Sequence, residues 1–403
     1  MKTFQEIKTN QPIQPQRRRR RRFRVRSKRV RLAIFLVLAL LLSSFGWSFG
    51  NALTAANQQS VPLKAVEWIR GHGGAQFLRV AEDVWYTWHQ PPKGGLPPKG
   101  AILNTKTTTP SQSGTSANSN VPANVKPFVS PALPGEGVWQ PEGRTTNGSH
   151  GLYVTTMRPD PVHTSLVAGL AWMNPKLLSF TLFAGGQEPG GGPWPNMGPI
   201  NSTQAKSLVA AFNSGFRMHE AMGGYYSDGR MAYPLVKGQA SFVIYSNGTA
   251  NVVKWGGSQS LTSNVVSVRQ NLSLILDNGK VTPGVYSPNY AQWGATVGNS
   301  VLVWRSGVGV TSTGAIIYAA GPGLSVATLA KILQRAGAVR AMEMDINTTW
   351  VNYFYFNPAT NSGPATPANG SKLVYNMVRP PQRYFEGTAR DFIGVFARKT
   401  AIG

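Results

Sequence analysis

The sequence predicts an α+β protein: a mixed β-sheet domain with a few packed helices, preceded by a transmembrane helix, a short helical segment and a flexible linker. Short β-branched or alternating runs recur after residue 131, and they outnumber the helical patterns. An uncharged apolar segment follows a strongly basic N-terminus. With 41% hydrophobic and 14% charged residues, the chain has the composition of a globular protein with a core.

The N-terminal region predicts a single-pass membrane anchor. Residues 1–31 hold thirteen Lys or Arg and one acid, a net charge of +12, and residues 32–53 are apolar and uncharged. This apolar segment is long enough to span a bilayer. Because positive charge stays cytoplasmic, we expect the basic tail inside the cell membrane and the C-terminal domain outside it. The alternative is cleavage at the small residues 52–56.

Two segments precede the main domain. Residues 61–90 place apolar and aromatic side chains at helical spacing, which predicts a membrane-proximal pair of short helices separated by glycines. Their aromatic side chains suit the membrane interface or, equally, packing on the next domain. Residues 91–130 are rich in Pro, Gly, Ser and Thr and predict a disordered linker. The domain itself is expected at 131–403.

Within this domain, two helices and a series of strands are predicted. A helix is expected from Ser202 to about residue 211, and a second from 326 to 335, capped by Ser325 and ended by Gly337. Turn residues such as Asn247-Gly248 separate the strands. The predicted strands are 153–157, 178–183, 241–245, 251–255, 272–276, 301–304 and 315–318.

The composition excludes several classes of site. The chain has no cysteine, which excludes disulfides, a Cys-based zinc site and a thiol nucleophile, and fits an exported bacterial protein. It has five histidines without metal-ligand spacing, so no metal site is expected. An arginine run is also typical of nucleic-acid binders, but beside a spanning segment it favours a topology signal, and no nucleic-acid partner is expected.

Two carboxylates are the first candidates for chemistry. Residues 131–403 contain only eleven acidic side chains, and Glu343 and Asp345 lie within the apolar strand-like run 339–346. A period of two places both on one face of the strand, at its C-terminal end. This arrangement suits a polar site, although ion pairs with Arg335 or Arg340 are the alternative.

Two further clusters are candidates for binding. In the first, Asn213 is followed by Gly215, and small residues let the backbone approach a ligand closely. Asp228 is a weaker catalytic candidate, because an Asp-Gly pair such as Asp228-Gly229 more often forms a turn than supplies a catalytic acid. In the second cluster, Arg305 lies in a β-rich, glycine-spaced segment, where it can bind phosphate or carboxylate with two hydrogen bonds or form an ordinary ion pair.

These pieces, in this order, resemble the phosphodiester glycosidase family, which is related to the uncovering enzyme that removes N-acetylglucosamine from a sugar phosphodiester. Similar motifs cover about residues 205–350 and, by extension, the 131–403 domain. The glycine-rich loop that follows the family's carboxylate is replaced here by 346–349, and Glu343 stands where the family usually has Asn. The segments that carry the resemblance are 213–217, 224–229, 305–310, 323–326, 336–338 and 341–350.

The resemblance implies a membrane-anchored extracytoplasmic hydrolase that cleaves a sugar–phosphate diester in an envelope or exopolysaccharide glycan, with no cofactor. It implies Asp345 as base or nucleophile and Glu343 as its orienting partner or as the acid. The alternative is a non-catalytic glycan-binding or envelope-assembly protein that keeps the fold. The expected partner is a carbohydrate or sugar-phosphate polymer, and the expected substrate-binding residues are Asn213, Gly215, Arg305, Asn347 and Thr348.

Overall fold

The computed structural model divides the chain into two units, Met1–Ala56 and Asn57–Gly403. The first unit contains helix α1, Lys28–Thr54. Its part from Val30 to Thr54 has 25 residues and a mean hydropathy of 2.2, and its apolar side chains are exposed. This helix is long and apolar enough to cross a membrane, as a signal-anchor or a span. The structure describes residues 28–55, 61–74, 90–103, 121–287, 290–294 and 301–402.

The second unit begins with helix α2, Val61–Gly71, the first of the two predicted short helices. The second predicted helix, at 75–89, lies outside the described residues, as do residues 1–27 of the basic tail and 104–120 of the predicted linker. Other parts of that linker pack on the domain. Ala101 and Ile102 are buried in one cluster with Val167, so apolar side chains hold this Pro- and Gly-rich stretch in place.

The described part of the domain contains eighteen strands in three sheets. They are β1 Gln140–Thr146, β2 Ser149–Met157, β3 Ala168–Met173, β4 Leu178–Phe183, β5 Leu208–Asn213, β6 Tyr225–Ser227, β7 Arg230–Tyr233, β8 Ala240–Tyr245, β9 Ala250–Lys254, β10 Val265–Gln270, β11 Leu274–Asp277, β12 Lys280–Val281, β13 Val303–Thr311, β14 Ile316–Leu324, β15 Ala338–Ile346, β16 Tyr353–Phe356, β17 Gly370–Lys372 and β18 Phe392–Ala397.

The eight-stranded sheet has the order β1-β2-β3-β14-β13-β15-β11-β12. The two five-stranded sheets have the orders β7-β6-β10-β8-β9 and β17-β16-β5-β18-β4. The α+β class is confirmed. The sequence predicted a mixed β-sheet with parallel and antiparallel pairs, whereas every pairing between these strands is antiparallel. Tight turns such as Asn278-Gly279, where both residues have positive φ, join such strands without a crossover helix.

The predicted helix after Ser325 is confirmed as α4, Val326–Arg335. A shorter α-helix, α3, covers Ser202–Ala205. The hydroxyl of Ser325 accepts a hydrogen bond from the backbone N–H of Thr328 at 3.0 Å, which caps the first turn of α4. Four 3₁₀ turns, Pro283–Tyr286, Tyr290–Trp293, Pro367–Asn369 and Pro381–Tyr384, complete the described helical elements.

The prediction of a helix from Ser202 to about residue 211 was wrong. Helix α3 ends at Ala205, and its N-cap is Asn201, whose side-chain oxygen accepts from the N–H of Gln204 at 2.9 Å. The following residues form β5, which is buried along its whole length between β16 and β18. A short, fully apolar run fits a buried strand and a buried helix equally well, so periodicity could not separate them.

The eight-stranded sheet has a core on each face. Met342 and Met344 of β15 pack in a cluster with side chains of the five-stranded sheets, including Phe212 and Phe242. Ala341 belongs to a second cluster that contains the apolar face of α4. The alternation expected for β15 therefore holds up to Met344, and the face of the strand that carries Met342 and Met344 packs against the five-stranded sheets.

We expect the Ser325→Ala variant to lose about 1 kcal/mol in the free energy of unfolding, because it removes the capping hydrogen bond of α4. Chemical denaturation of the purified chain measures the loss. Ser202→Ala is the matched control, since Ser202 is exposed and follows the actual cap, Asn201. Equal losses in both variants would contradict this assignment of the caps.

Candidate functional site

The candidate site lies where the ends of β5 and β15 meet the start of β18. The backbone N–H of Asp345 donates to the carbonyl oxygen of Ser214 at 3.1 Å. The N–H of Ser214 in turn donates to the carbonyl oxygen of Asp391 at 3.4 Å. Three segments distant in sequence are therefore joined through their backbones, and each delivers a polar side chain to the same place.

The side-chain amide of Asn213 is fully hydrogen-bonded. Its oxygen accepts from the hydroxyl of Tyr318 at 2.7 Å and from the backbone N–H of Asn352 at 3.1 Å. Its nitrogen donates to the hydroxyl of Ser306 at 3.0 Å and to the carbonyl oxygen of Ser214 at 2.9 Å. An amide has two donors and one oxygen with two lone pairs, so these four bonds use its whole capacity.

Asp345 is 4% exposed and is held from several sides. Its carboxylate forms an ion pair with Arg390, and Oδ1 accepts from the N–H of Ile346 at 2.8 Å. Its carbonyl oxygen accepts from the hydroxyl of Ser306 at 2.7 Å. A buried carboxylate beside a guanidinium remains ionised more easily than one buried alone. The arrangement thus presents a fixed carboxylate at the end of β15.

Buried arginines surround the ring of Trp350. The guanidinium carbon of Arg390 lies 4.2 Å from the ring centroid, that of Arg383 at 5.5 Å and that of Arg379 at 5.7 Å. Burial lowers the pKa of Arg390 to about 10, while the charge of Asp391 acts in the opposite direction. Arg390 is therefore still a cation at neutral pH. Such planar donors suit phosphate oxygens.

A small cavity lies between these groups. Its volume is about 10 Å³, roughly the lower limit for a cavity that holds one water molecule. Four polar atoms of its lining residues are buried and have no hydrogen-bond partner within the described part of the chain: Ser214 Oγ, Asp345 Oδ2, Arg390 Nε and Asp391 Oδ1. Of these, Asp345 Oδ2 belongs to the ion pair with Arg390. The lining residues are Asn213, Ser214, Asp345, Trp350, Asn352, Arg383, Tyr384, Arg390 and Asp391.

The structure does not bring Glu343 and Arg305 into this cavity. They form a separate buried ion pair at 2.5 Å. The pairing of β13 with β15 shifts register between the Arg305–Ile346 and Gly307–Glu343 positions. Such a shift interrupts the alternation of side chains, so the expected common face of the two carboxylates is lost between Glu343 and Asp345.

The Arg305 guanidinium has several partners besides Glu343. Its N–H groups donate to the carbonyl oxygens of Leu324 at 2.9 Å, Trp293 at 3.1 Å and Val301 at 3.3 Å. Burial raises the pKa of the Glu343 carboxyl to about 7, while Arg305 acts in the opposite direction. Since Arg305 is 2% exposed and its donors are engaged, this pair supports the strand rather than facing a ligand.

The loop after Asp345 keeps a glycine-like backbone. Asn347 has φ of +85°, a conformation that favours glycine and that asparagine tolerates better than most residues. Its side-chain oxygen accepts from the N–H of Thr349 at 3.0 Å, which fixes the turn. Asn347 and Thr348 follow Asp345 closely in the chain but do not line the cavity.

Of the remaining predicted residues, Gly215 contacts the site, whereas Asp228 lies away from it. Gly215 contributes its carbonyl oxygen, which accepts from Arg390 at 3.2 Å, and a Cβ there would lie 3.0 Å from Asn271. Asp228 lies in the exposed turn between β6 and β7, where it and Gly229 have positive φ. Asp228 therefore does not line the cavity, and its hydroxyl partner is the neighbouring Ser227.

Sequence reasoning missed the C-terminal half of this site. Arg383, Arg390 and Asp391 come from the segment before β18, to which the motif analysis gave no role. A signal was present, because charged residues stand directly before the apolar run 392–397. Among the described residues, no group of three or more His, Asp or Glu side chains could hold a metal ion.

We expect the Asn347→Val variant to lose about 1–3 kcal/mol in the free energy of unfolding, because a β-branched residue fits poorly at positive φ. Asn347→Gly should lose less, since glycine adopts this conformation without strain. Urea denaturation of both variants measures the difference. An equal loss in the two would show that the side chain, rather than the backbone conformation, is what matters.

The buried Glu343 predicts a pH-dependent stability. Its folded pKa of about 7 exceeds the ordinary 4.5, so the folded state holds a proton that the unfolded state has released between these values. The free energy of unfolding should therefore fall as the pH rises through this range. In Glu343→Gln this contribution is absent.

Chemical denaturation at about pH 5 and about pH 8 tests this expectation. The control is Glu220→Gln, because Glu220 is exposed. The control should keep the decline in stability with pH, and an unchanged decline in Glu343→Gln would contradict the prediction.

Comparison with known proteins agrees with these motifs. Residues 206–374 match the family model described as phosphodiester glycosidase. The search of curated proteins finds no sequence match.

The solved structures that are similar to this chain include the following two. One is the zebrafish N-acetylglucosamine-1-phosphodiester alpha-N-acetylglucosaminidase catalytic domain auto-inhibited by its pro-peptide, at 16% identity and a TM-score of 0.40, covering 64% of this chain and 87% of that one. The other is a hypothetical protein from Synechocystis, at 14% identity and a TM-score of 0.37, covering 64% of each chain. The family match confirms the resemblance over residues 206–374, which match the phosphodiester glycosidase family model.

Proposed function

We propose that the protein is a membrane-anchored, extracytoplasmic hydrolase that cleaves the bond between an anomeric carbon and a phosphodiester in an envelope or exopolysaccharide glycan. One observation carries the proposal. The buried carboxylate of Asp345, which lies in the region that matches the phosphodiester glycosidase family, is ion-paired with Arg390 and lines a cavity. The family suggests a hydrolase, and the cavity brings together the groups that such a reaction needs.

The reaction makes specific chemical demands. Hydrolysis at an anomeric carbon requires a base or nucleophile on one side and stabilisation of the leaving group on the other. A phosphate is already a good leaving group, so it needs positive charge more than a proton. Asp345 is our candidate for base or nucleophile. Arg390 and Arg383, which line the same cavity, are our candidates for holding the phosphate.

This proposal changes the roles expected for Arg305 and Glu343. Arg305 already donates to three carbonyl oxygens and to Glu343. Binding phosphate would require breaking those bonds inside the core. We therefore assign the pair a positioning role: it supports β15, and β15 carries Asp345. Asn213 orients the same site through its complete set of hydrogen bonds, and Asn347 shapes the loop behind it.

The proposed location rests on α1 and on charge. Helix α1 is long enough to span a membrane, and the basic tail before it would remain cytoplasmic. Residues after 31 carry a net charge of +13 from 27 basic and 14 acidic side chains. A basic domain facing outward would attract anionic wall polymers, which contain the phosphodiester linkages the proposed reaction needs.

A second candidate function is a glycan-binding or envelope-assembly protein without catalysis. The size of the cavity favours it over a hydrolase, because about 10 Å³ holds roughly one water and no sugar, whereas a polymer could bind on the surface of the domain without entering the cavity. A hydrolase with this site would have to open before a sugar phosphate could enter. Binding of purified envelope polymer without any product would support this second candidate.

The test uses the full-length chain in detergent with a GlcNAc-1-phosphodiester and a teichoic-type polymer as substrates. We expect release of the free sugar, and a loss in kcat of about 10²–10⁴-fold in Asp345→Asn. Asp277→Asn is the matched control, because Asp277 lies at a strand end remote from the cavity lining. Unchanged turnover in Asp345→Asn would contradict the assignment of Asp345 as base or nucleophile.

A further inference from the structure

We infer that Asp391 is the second carboxylate of this site and that it activates the water that attacks the sugar. The inference rests on the proposed function and adds a residue to its chemistry. Asp391 lies directly before β18, outside the region that matches the family model.

The carboxylate of Asp391 has one oxygen engaged and one available. Oδ2 accepts from Nε of Arg269 at 2.6 Å. Oδ1 is buried, and within the described residues it has no hydrogen-bond partner. Asp391 is 4% exposed and is one of the residues that line the cavity. A buried polar atom in this state indicates a missing partner, such as a water or a ligand.

Arg269 fixes the direction of this carboxylate. Its remaining N–H groups donate to the carbonyl oxygen of Gln270 at 2.6 Å and to that of Phe216. The guanidinium is thus held on three sides, and Asp391 cannot rotate without losing the 2.6 Å contact. A base whose geometry is set by a neighbouring group in this way suits proton transfer from a positioned water.

Ser214 completes a place for that water. Its hydroxyl is another buried atom of a lining residue that has no hydrogen-bond partner within the described residues. The volume of the cavity is roughly at the lower limit for one water, and a buried water needs two to four polar partners. Asp391 Oδ1 would accept one of its protons, and the hydroxyl of Ser214 would donate to its oxygen.

The proposed step balances as follows. Asp391 Oδ1 takes one proton from the water, and the water oxygen forms a bond to the anomeric carbon as that proton leaves. If Asp345 only orients the sugar, the bond between the anomeric carbon and the bridging phosphate oxygen breaks in this step. If the carboxylate of Asp345 has first displaced the phosphate, the bond between that carboxylate and the anomeric carbon breaks instead. The phosphate monoester keeps the electron pair of the bond that it leaves, and Asp391 later returns its proton to solvent.

The alternative is that Asp391 serves only as a partner for Arg269. The decisive measurement is chemical rescue. In Asp391→Ala, turnover should fall about 10²-fold or more, and added azide should restore consumption of the substrate by forming a glycosyl azide. A residue that only supports the fold gives no such product. Asp391→Asn, which keeps the shape of the side chain but leaves the buried Arg269 without its counter-charge, should show a similar loss in kcat and a lowered thermal midpoint, so its activity is measured below that midpoint.

Further variants keep the test independent of folding. Ser214→Ala should lower kcat by about fivefold, the worth of one uncharged hydrogen bond, with KM unchanged. Asp277→Asn again serves as the control of unchanged activity. An active parent chain combined with full activity in Asp391→Asn, or with no azide product in folded Asp391→Ala, overturns this inference alone. A parent chain that turns over neither the GlcNAc-1-phosphodiester nor the teichoic-type polymer removes the proposed function itself.

Discussion

The buried amide of Asn213 is the interaction on which the rest of the site depends. It joins the eight-stranded sheet, through Tyr318 and Ser306, to the segment that precedes β16, through Asn352. Any displacement of these strands would leave part of the amide unsatisfied in the core, which is costly because water cannot replace the lost partner. Ser306 passes the constraint on to the carbonyl oxygen of Asp345, so the position of the carboxylate follows from that of the amide.

Buried charge is organised around this frame in pairs. Arg305 holds Glu343, Arg269 holds Asp391 and Arg390 holds Asp345, and all of these groups are nearly inaccessible to solvent. Removing ions from water is expensive, and a buried pair recovers the cost only when further hydrogen bonds satisfy the remaining donors. Arg305 and Arg269 obtain those bonds from backbone carbonyl oxygens. The buried pairs lower the free energy of unfolding, and in return the positions of their charges are fixed before any ligand binds.

The sequence allowed good prediction of elements whose local pattern was unambiguous. Helix α4 was recognisable from Ser325 and Gly337, and the strand around Asp345 from its apolar alternation. The strand before Asn213 was missed because a uniformly apolar run carries no period. The separation of Glu343 from Asp345 follows from a register shift with β13, and no local pattern in β15 encodes its partner's register. Asp391 was missed because its role depends on Arg269, 122 residues earlier in the chain.

The position of β18 shows that the region that matches the family is smaller than the region that must fold as one unit. The family match ends at residue 374, yet β18 lies between β5 and β4 in its sheet. A fragment cut at the boundaries of the match would expose the hydrogen-bonding edge of β5, and unpaired edges of this kind invite association between chains. It would also leave the carboxylate of Asp345 without Arg390. The smallest autonomous piece of this protein therefore has to be drawn from its hydrogen-bond ladder rather than from its similarity to other sequences.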